Sequence, residues 1–109
     1  MPRNRSSKDP EEKEVGGLMT EPMSKEEVKL VLNNPHKPLV LFAIAYYVNL
    51  NDRELNTLIY RYLRGHTQEE TAEYLERSKN TIQNWENSAL ETCAKAWSGN
   101  QFVAQLLEY

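Results

Sequence analysis

Residues 67–90 read TQEETAEYLERSKNTIQNWENSAL, and their spacing predicts two helices joined by a short turn. Thr67 is followed three residues later by Glu70, a capping box in which each side chain satisfies a free backbone N–H of the other residue. The first helix should therefore begin near Gln68. Ser78 is a good N-cap for the second helix, which leaves a turn of about three residues, as a helix-turn-helix requires.

Small and apolar residues set the inner faces of these two helices. Ala72 and Leu75 share one face of the first helix, and the small side chain of Ala72 lets the second helix cross closely. In the second helix, Ile82, Trp85 and Ala89 form a stripe that should face the core. The opposite side should then be exposed and polar, and it carries Lys79, Asn80, Gln83, Asn84 and Asn87.

The exposed side of the second helix carries side chains suited to reading DNA. Asn and Gln can form two hydrogen bonds with an adenine edge, and Lys can reach guanine acceptors or a phosphate. The predicted base-reading residues are Asn80, Thr81, Gln83, Asn84 and Asn87, and the predicted phosphate contacts are Arg64, Arg77, Ser78 and Lys79. A polar outer face is also ordinary helix behaviour, so simple solvation is the alternative for each residue.

The wider region resembles a known family of helix-turn-helix domains. Leu50 to Leu55 stands where the fourth region of bacterial sigma factors and the related LuxR-type domains have Leu-Thr-x-Arg-Glu. Tyr60 to Thr67 stands where sigma factors have a helix end, Gly and the next cap. Within that class, residues 58–63 and residues 89–94 are similar to ArpU-type regulators of phage late genes. The resemblance covers residues 50–92 and implies a transcriptional regulator of phage or mobile-element type that binds double-stranded DNA, with RNA polymerase as a further partner.

Three positions depart from the pattern of that family. Thr71 stands where the family usually has Ile, and Glu76 and Arg77 replace the usual Gly and apolar residue of the turn. A left-handed backbone at Glu76 would be strained, because a Cβ is costly there. Arg77 removes an apolar side chain from the core and offers a phosphate contact instead. The fold is expected to hold, whereas the geometry of the turn is left open.

Composition indicates one small all-α domain. With 109 residues and 39% hydrophobic content, the chain can bury one modest core. We expect a bundle of five or six helices over residues 24–109, with the helix-turn-helix at 67–90 and a C-terminal helix at 100–108. Charges and Pro or Gly breaks at residues 1–23 predict a disordered tail. The single cysteine, Cys93, and the lack of a signal-like start predict a cytoplasmic location.

The helices before and after the motif follow from apolar runs. The run Leu39–Val48 is apolar on nearly all sides, which predicts the buried centre of the domain. It is about half the length that a membrane span needs, so no membrane contact is expected. In the C-terminal helix one side carries Phe102, Val103, Leu106 and Leu107. That side either closes the core or forms a homodimer seam, as the final helix does in LuxR-type domains.

Net charge predicts weak intrinsic affinity for DNA. The chain carries a formal charge of −3, whereas DNA-binding proteins usually show a basic stripe. Four basic residues could still gather on the DNA side, namely Arg61, Arg64, Arg77 and Lys79. A homodimer would double their contacts.

Neither an enzyme nor a metal or cofactor site is expected. His36 and His66 have no cysteine or carboxylate at metal-ligand spacing, and the chain has no Gly-rich phosphate loop or nucleophile elbow. Three functions remain open. The first is a sequence-specific regulator that places residues 79–90 in the major groove of DNA. The second is a sigma-like module that binds RNA polymerase or a sigma factor, which the acidic surface favours. The third is a DNA-packaging or replication-initiation subunit.

Overall fold

The computed structural model describes residues 22–108, which form an all-α domain with a helix-turn-helix, as predicted. The helices are α1 (Lys25–Leu32), α2 (Lys37–Tyr47), α3 (Asp52–Leu58), α4 (Gln68–Leu75), α5 (Lys79–Trp97) and α6 (Gln101–Leu106), and a π-helical turn (Ile59–Leu63) continues α3. Most of the tail predicted at 1–23 lies outside the described residues. Met23 is described, and its backbone N–H donates to Ser98 Oγ at 2.8 Å.

Side-chain caps fix where α1, α3, α4 and α5 begin. Three reciprocal capping boxes form, at Ser24 with Glu27, Asn51 with Glu54 and Thr67 with Glu70. The side chain of Ser78 accepts from the backbone N–H of Thr81, and α5 therefore begins at the residue after Ser78. Because a cap needs only residues three positions apart, the sequence predicts these starts well. Helix α6 ends at Leu106, two residues earlier than predicted.

The longest helix, α5, is the centre of the domain. It packs against α1, α3 and α4. Trp97 is fully buried near its end, and the indole Nε1–H donates to the carbonyl oxygen of Ala43 at 3.3 Å, which joins α5 to α2. The prediction that the Leu39–Val48 helix is the buried centre is wrong. Helix α2 lies at the surface of the bundle, and its buried residues are Val40, Ala43 and Ile44.

The outer side of α2 is apolar and exposed. We call this surface the α2 apolar face, and it consists of Leu39, Leu41, Phe42, Tyr46 and Tyr47. Tyr46 is 72% exposed, and its ring centroid lies 4.3 Å from that of Phe42. None of the helices in the described part of the chain combines the length and the apolarity that a membrane crossing requires.

Helix α6 closes the core at the C-terminal end. Val103 and Leu106 are buried, while Phe102 and Leu107 are partly buried and pack against the core. The side-chain amide of Asn34 donates to the carbonyl oxygen of Leu106 at 2.8 Å and fixes the helix to the loop after α1. Core closure is therefore the alternative that the structure supports. A homodimer seam at Val103 and Leu106 would have to pull both side chains out of the core.

Candidate nucleic-acid interface

The turn between α4 and α5 is left-handed at Glu76, with φ of 57° and ψ of 48°. The N–H of Arg77 donates to the carbonyl oxygen of Ala72 at 2.9 Å, and that of Glu76 donates to Glu73 at 3.3 Å. These are the two hydrogen bonds of a Schellman motif, which satisfies the end of a helix. The turn thus has a backbone geometry that glycine usually adopts. For Glu76, which has a Cβ, this geometry costs roughly 1–2 kcal/mol.

Three amide side chains, which we call the amide row, lie on the outer side of α5. Asn80, Asn84 and Asn87 stand at helical spacings of four and three residues, so they share one exposed face. Within residues 22–108, none of these three side chains makes a hydrogen bond. Their amide donors and acceptors are consequently available to a molecule that approaches this face.

The other two predicted base-reading residues have partners. Gln83 is exposed on the side of α5 next to α4, and its Nε2 donates to Gln68 Oε1 at 3.2 Å. Thr81 is half-buried, and its hydroxyl accepts from Ser78 Oγ at 3.0 Å. Four of the five predicted residues therefore lie exposed together, and Thr81 belongs to the N-cap of the helix.

The predicted phosphate contacts are exposed but have different surroundings. Lys79 Nζ lies 2.9 Å from a carboxylate oxygen of Glu69. The hydrogen bond from Lys79, a backbone hydrogen bond and the charge of Lys79 hold the pKa of Glu69 below its ordinary value. The guanidinium of Arg64 lies over the Tyr60 ring, 5.0 Å from its centroid. Ser78 is used as the N-cap.

Trp85 is half-buried rather than a core residue, so the stripe predicted for α5 is wrong at this position. The guanidiniums of Arg53 and Arg77 lie 5.6 Å and 5.8 Å from its ring centroid. Both arginines are exposed, and cation–π contacts of this kind are worth about 0.5–1 kcal/mol at the surface. Arg53 was not predicted as a site residue, although it stands in the Leu50 to Leu55 motif. Contacts with the Trp85 ring therefore place the guanidinium groups of Arg53 and Arg77 beside the amide row.

Behind the amide row, Glu86 is the centre of a buried polar network. Its side chain accepts at Oε1 from Arg61 Nε and from Gln68 Nε2, each at 3.0 Å, and at Oε2 from the Tyr62 hydroxyl at 2.5 Å. Burial alone would raise the pKa of Glu86, but the hydrogen bonds from Tyr62, Gln68 and Arg61 bring it below the ordinary value. Burial and the contact with Glu86 raise the pKa of Tyr62 well above its usual range. At neutral pH the network therefore holds a carboxylate and a neutral phenol.

Arg61 belongs to this network and not to the outer surface. Its Nη1 donates to the carbonyl oxygen of His66 at 2.8 Å, and it is half-buried. The prediction that Arg61 gathers with the other cations on the DNA side is wrong, because its charge is paired with Glu86. The sequence did contain a signal for Glu86, since it stands four residues after buried Ile82 and three before buried Ala89.

A π-helical turn presents Arg61 and Tyr62 to the same carboxylate. The N–H of Arg64 donates to the carbonyl oxygen of Ile59 at 2.9 Å, five residues earlier. Such single turns are rare and occur often at functional sites. The wider turn is followed by Gly65, with φ of 77°, which leads the chain into the cap of α4.

Residues 48–95 match the family model described as Sigma-70, region 4. The matched segment contains α3, the π-helical turn, α4 and most of α5, and so it contains the amide row and the Glu86 network. This segment is a sigma region 4-like helix-turn-helix domain, which confirms the sigma region 4 resemblance predicted from the sequence, and a domain of this kind is a DNA-binding module. Helices α1, α2 and α6 lie outside the match. No match to the chain was found among curated proteins or among solved structures.

Proposed function

We propose that this chain is a sequence-specific transcriptional regulator whose helix α5 binds in the major groove of duplex DNA. The observation that carries the proposal is the amide row, because exposed side chains with unused donors and acceptors are what base reading needs. The resemblance to ArpU-type regulators extends the proposal to a phage or mobile-element regulator.

Roles follow from the position of each side chain. Asn80, Asn84 and Asn87 would face base edges along the groove, with Gln83 beside them. The phosphate backbone would be held at the two edges of the helix by cations, namely Arg53, Arg64, Arg77 and Lys79. Phosphate contacts fix the register of a protein on DNA and carry no sequence information, so the two groups have separable effects.

We further propose that a second copy of the chain covers the α2 apolar face. A soluble monomer seldom exposes a contiguous surface of large apolar side chains without a partner. None of its five side chains is charged, so two copies can bring them together around a two-fold axis without like-charge repulsion between them. Phe102, from the predicted C-terminal seam, contacts this face, with its ring centroid 5.4 Å from that of Phe42. A homodimer would double the phosphate contacts of a chain whose net charge is −3.

A second candidate function is binding of RNA polymerase or a sigma factor. It is favoured by a surface hollow of about 340 Å³ lined by His66, Glu70, Glu73 and Tyr74. Tyr74 is 61% exposed and stacks on Tyr60 with ring centroids 5.4 Å apart. Carboxylates beside exposed aromatic rings suit a Lys or Arg side chain of a partner protein. The third candidate, a packaging or replication subunit, would use the same DNA contacts in a larger assembly.

Selection of duplexes from a random pool, followed by salt titration, separates these functions. The proposal predicts that one sequence is enriched, that Asn84→Ala relaxes base choice at one position, and that Lys79→Ala weakens all sequences alike. Absence of DNA binding at low salt, with retention of the protein on RNA polymerase, would contradict the proposal and favour the second candidate. Large rings in solution would favour the third.

A further inference from the structure

Gln68, the first residue of α4, joins the buried network to the outer face of α5. Its Nε2 donates to Glu86 Oε1 at 3.0 Å, and its Oε1 accepts from Gln83 Nε2 at 3.2 Å. Glu86 is 4% exposed, whereas Gln83 is exposed among the proposed base-reading residues. The two hydrogen bonds thus run in a chain from the core of the domain to the surface proposed to meet DNA.

The chemistry of Glu86 fixes the orientation of the Gln68 amide. An ionised carboxylate can only accept hydrogen bonds, so the NH₂ group of Gln68 must point at Glu86. Arg61 and Tyr62 donate to the same carboxylate and prevent it from turning away. The carbonyl oxygen of Gln68 must then point outward. A neighbour that bonds to it has to be a donor, and Gln83 supplies that donor through Nε2.

The hydrogen bond to Gln68 also determines which donor and acceptor groups of Gln83 remain for a base. One of its two N–H groups is used on Gln68, and one N–H and the carbonyl oxygen remain. A donor and an acceptor side by side match the major-groove edge of adenine, whose N6 donates and whose N7 accepts. Guanine presents two acceptors there, N7 and O6, and would place one of them against the carbonyl oxygen of Gln83.

We propose that Gln68 is a positioning residue that holds the amide of Gln83 in the orientation that reads adenine and rejects guanine. This inference rests on the proposed function, because it names the base that one residue of α5 selects. Gln68 itself need not touch DNA. Its role is to transmit the fixed orientation of the buried carboxylate to an exposed amide that would otherwise rotate freely.

Base selection by the full chain and three variants tests this inference. Gln68→Met keeps the length of the side chain and removes both hydrogen bonds, Gln83→Met removes the reader, and the double variant tests whether one acts through the other. We expect the unchanged protein to prefer adenine over guanine at one position by about tenfold or more. Gln68→Met and Gln83→Met should both lose that preference at the same position, and the double variant should behave like Gln83→Met. The salt dependence of binding should not change, because no phosphate contact is removed.

Several results would overturn the inference while leaving the proposed function intact. They are a guanine preference at the Gln83 position, an adenine preference that survives Gln68→Met, or a loss of preference at every position alike. Asn84→Ala is the matched control, since it should relax a different position. In the protein without DNA, a nuclear Overhauser contact between the Gln68 and Gln83 side-chain amides should be present, and it should be lost in neither Asn84→Ala nor Asn87→Ala. No sequence preference in the unchanged protein would sink the proposed function, and this inference with it.

Discussion

Glu76 adopts a left-handed backbone that is unfavourable for a residue with a Cβ. Within residues 22–108 it is the sole residue other than glycine with a positive φ. We expect Glu76→Gly to raise the free energy of unfolding by roughly 1 kcal/mol, because relief of the left-handed strain exceeds the added flexibility of the unfolded chain. Urea denaturation measures the change. The control is Glu73→Gly inside α4, which should lower it by about 1 kcal/mol. Equal destabilisation by both variants would contradict the strained turn.

Glu86 makes the stability of the domain depend on pH. Its pKa in the folded chain is lowered, so its stabilising contribution is complete above the pKa of the unfolded chain and is lost as pH falls through the folded value. We expect Glu86→Gln to lower the free energy of unfolding by about 3 kcal/mol at neutral pH, because Arg61 loses its buried partner. As pH falls below the ordinary pKa of Glu, about 4.3, the variant should also lose less further stability than the unchanged protein.

Denaturation at several pH values checks this prediction. Glu91→Gln is the control, since Glu91 pairs with Lys25 at 3.3 Å on the surface and such pairs contribute at most about 1 kcal/mol. An acid transition that is unchanged in Glu86→Gln would show that other groups control it.

Some residues of the candidate site could be predicted from the sequence, and others could not. The exposed amides Asn80, Asn84 and Asn87 were predictable, because helical spacing alone places them opposite Ile82. Trp85 was placed in the core because it stands three residues after Ile82, but it is half-buried, with two arginine guanidiniums over its ring. The hydrogen bonds of Glu86 come from the π-helical turn and α4, and helical spacing within α5 carries no information about them.

At the scale of helices, Glu69 of α4 would compete with DNA for Lys79 of α5. Lys79 is paired with Glu69, so it must leave that carboxylate to bind a phosphate. We expect Glu69→Gln to raise affinity for any duplex by a few fold at low salt, since Lys79 then binds a phosphate without first leaving an ion pair. The slope of log affinity against log salt should steepen by up to about one unit.

Fluorescence anisotropy over a series of salt concentrations measures both quantities. Glu73→Gln is the matched control, because it removes the same charge from the same helix without a contact to Lys79. If the two variants gain affinity equally, the pairing of Lys79 with Glu69 has no part in binding.

Helices also show why the centre of the bundle was predicted wrongly. The α2 sequence KPLVLFAIAYY has no polar side, and such a pattern normally indicates burial. In this domain α5 occupies the centre instead, since its 19 residues carry small Ala89 and Cys93 and large Trp97 on one side. The starts of α1, α3, α4 and α5 were predictable from their caps, whereas the π-helical turn at residues 59–63 leaves no spacing pattern in the sequence.

At the scale of the whole molecule, the α2 apolar face departs from the usual surface of a soluble monomer. We expect the unchanged chain to form a homodimer, and Tyr46→Lys to weaken that dimer by at least about tenfold, because it places like charges across the two-fold axis. Sedimentation equilibrium measures the dissociation constant. Tyr74→Lys is the control, since Tyr74 is similarly exposed, at 61%, on a different helix. A monomer at all concentrations, or equal effects of both variants, would contradict the second copy and leave the α2 apolar face to another protein.

The net charge of the whole chain limits how much affinity for DNA can come from contacts with phosphates. With a formal charge of −3, the chain can gain little from phosphates alone, and the proposed function therefore assigns its selectivity to the amide row. The most direct test is the ratio of the dissociation constants for a selected duplex and for a scrambled duplex of equal length, measured over a range of salt concentrations. We predict binding to the selected duplex that is tighter by about a thousandfold, at every salt concentration. A ratio near one throughout would contradict the account.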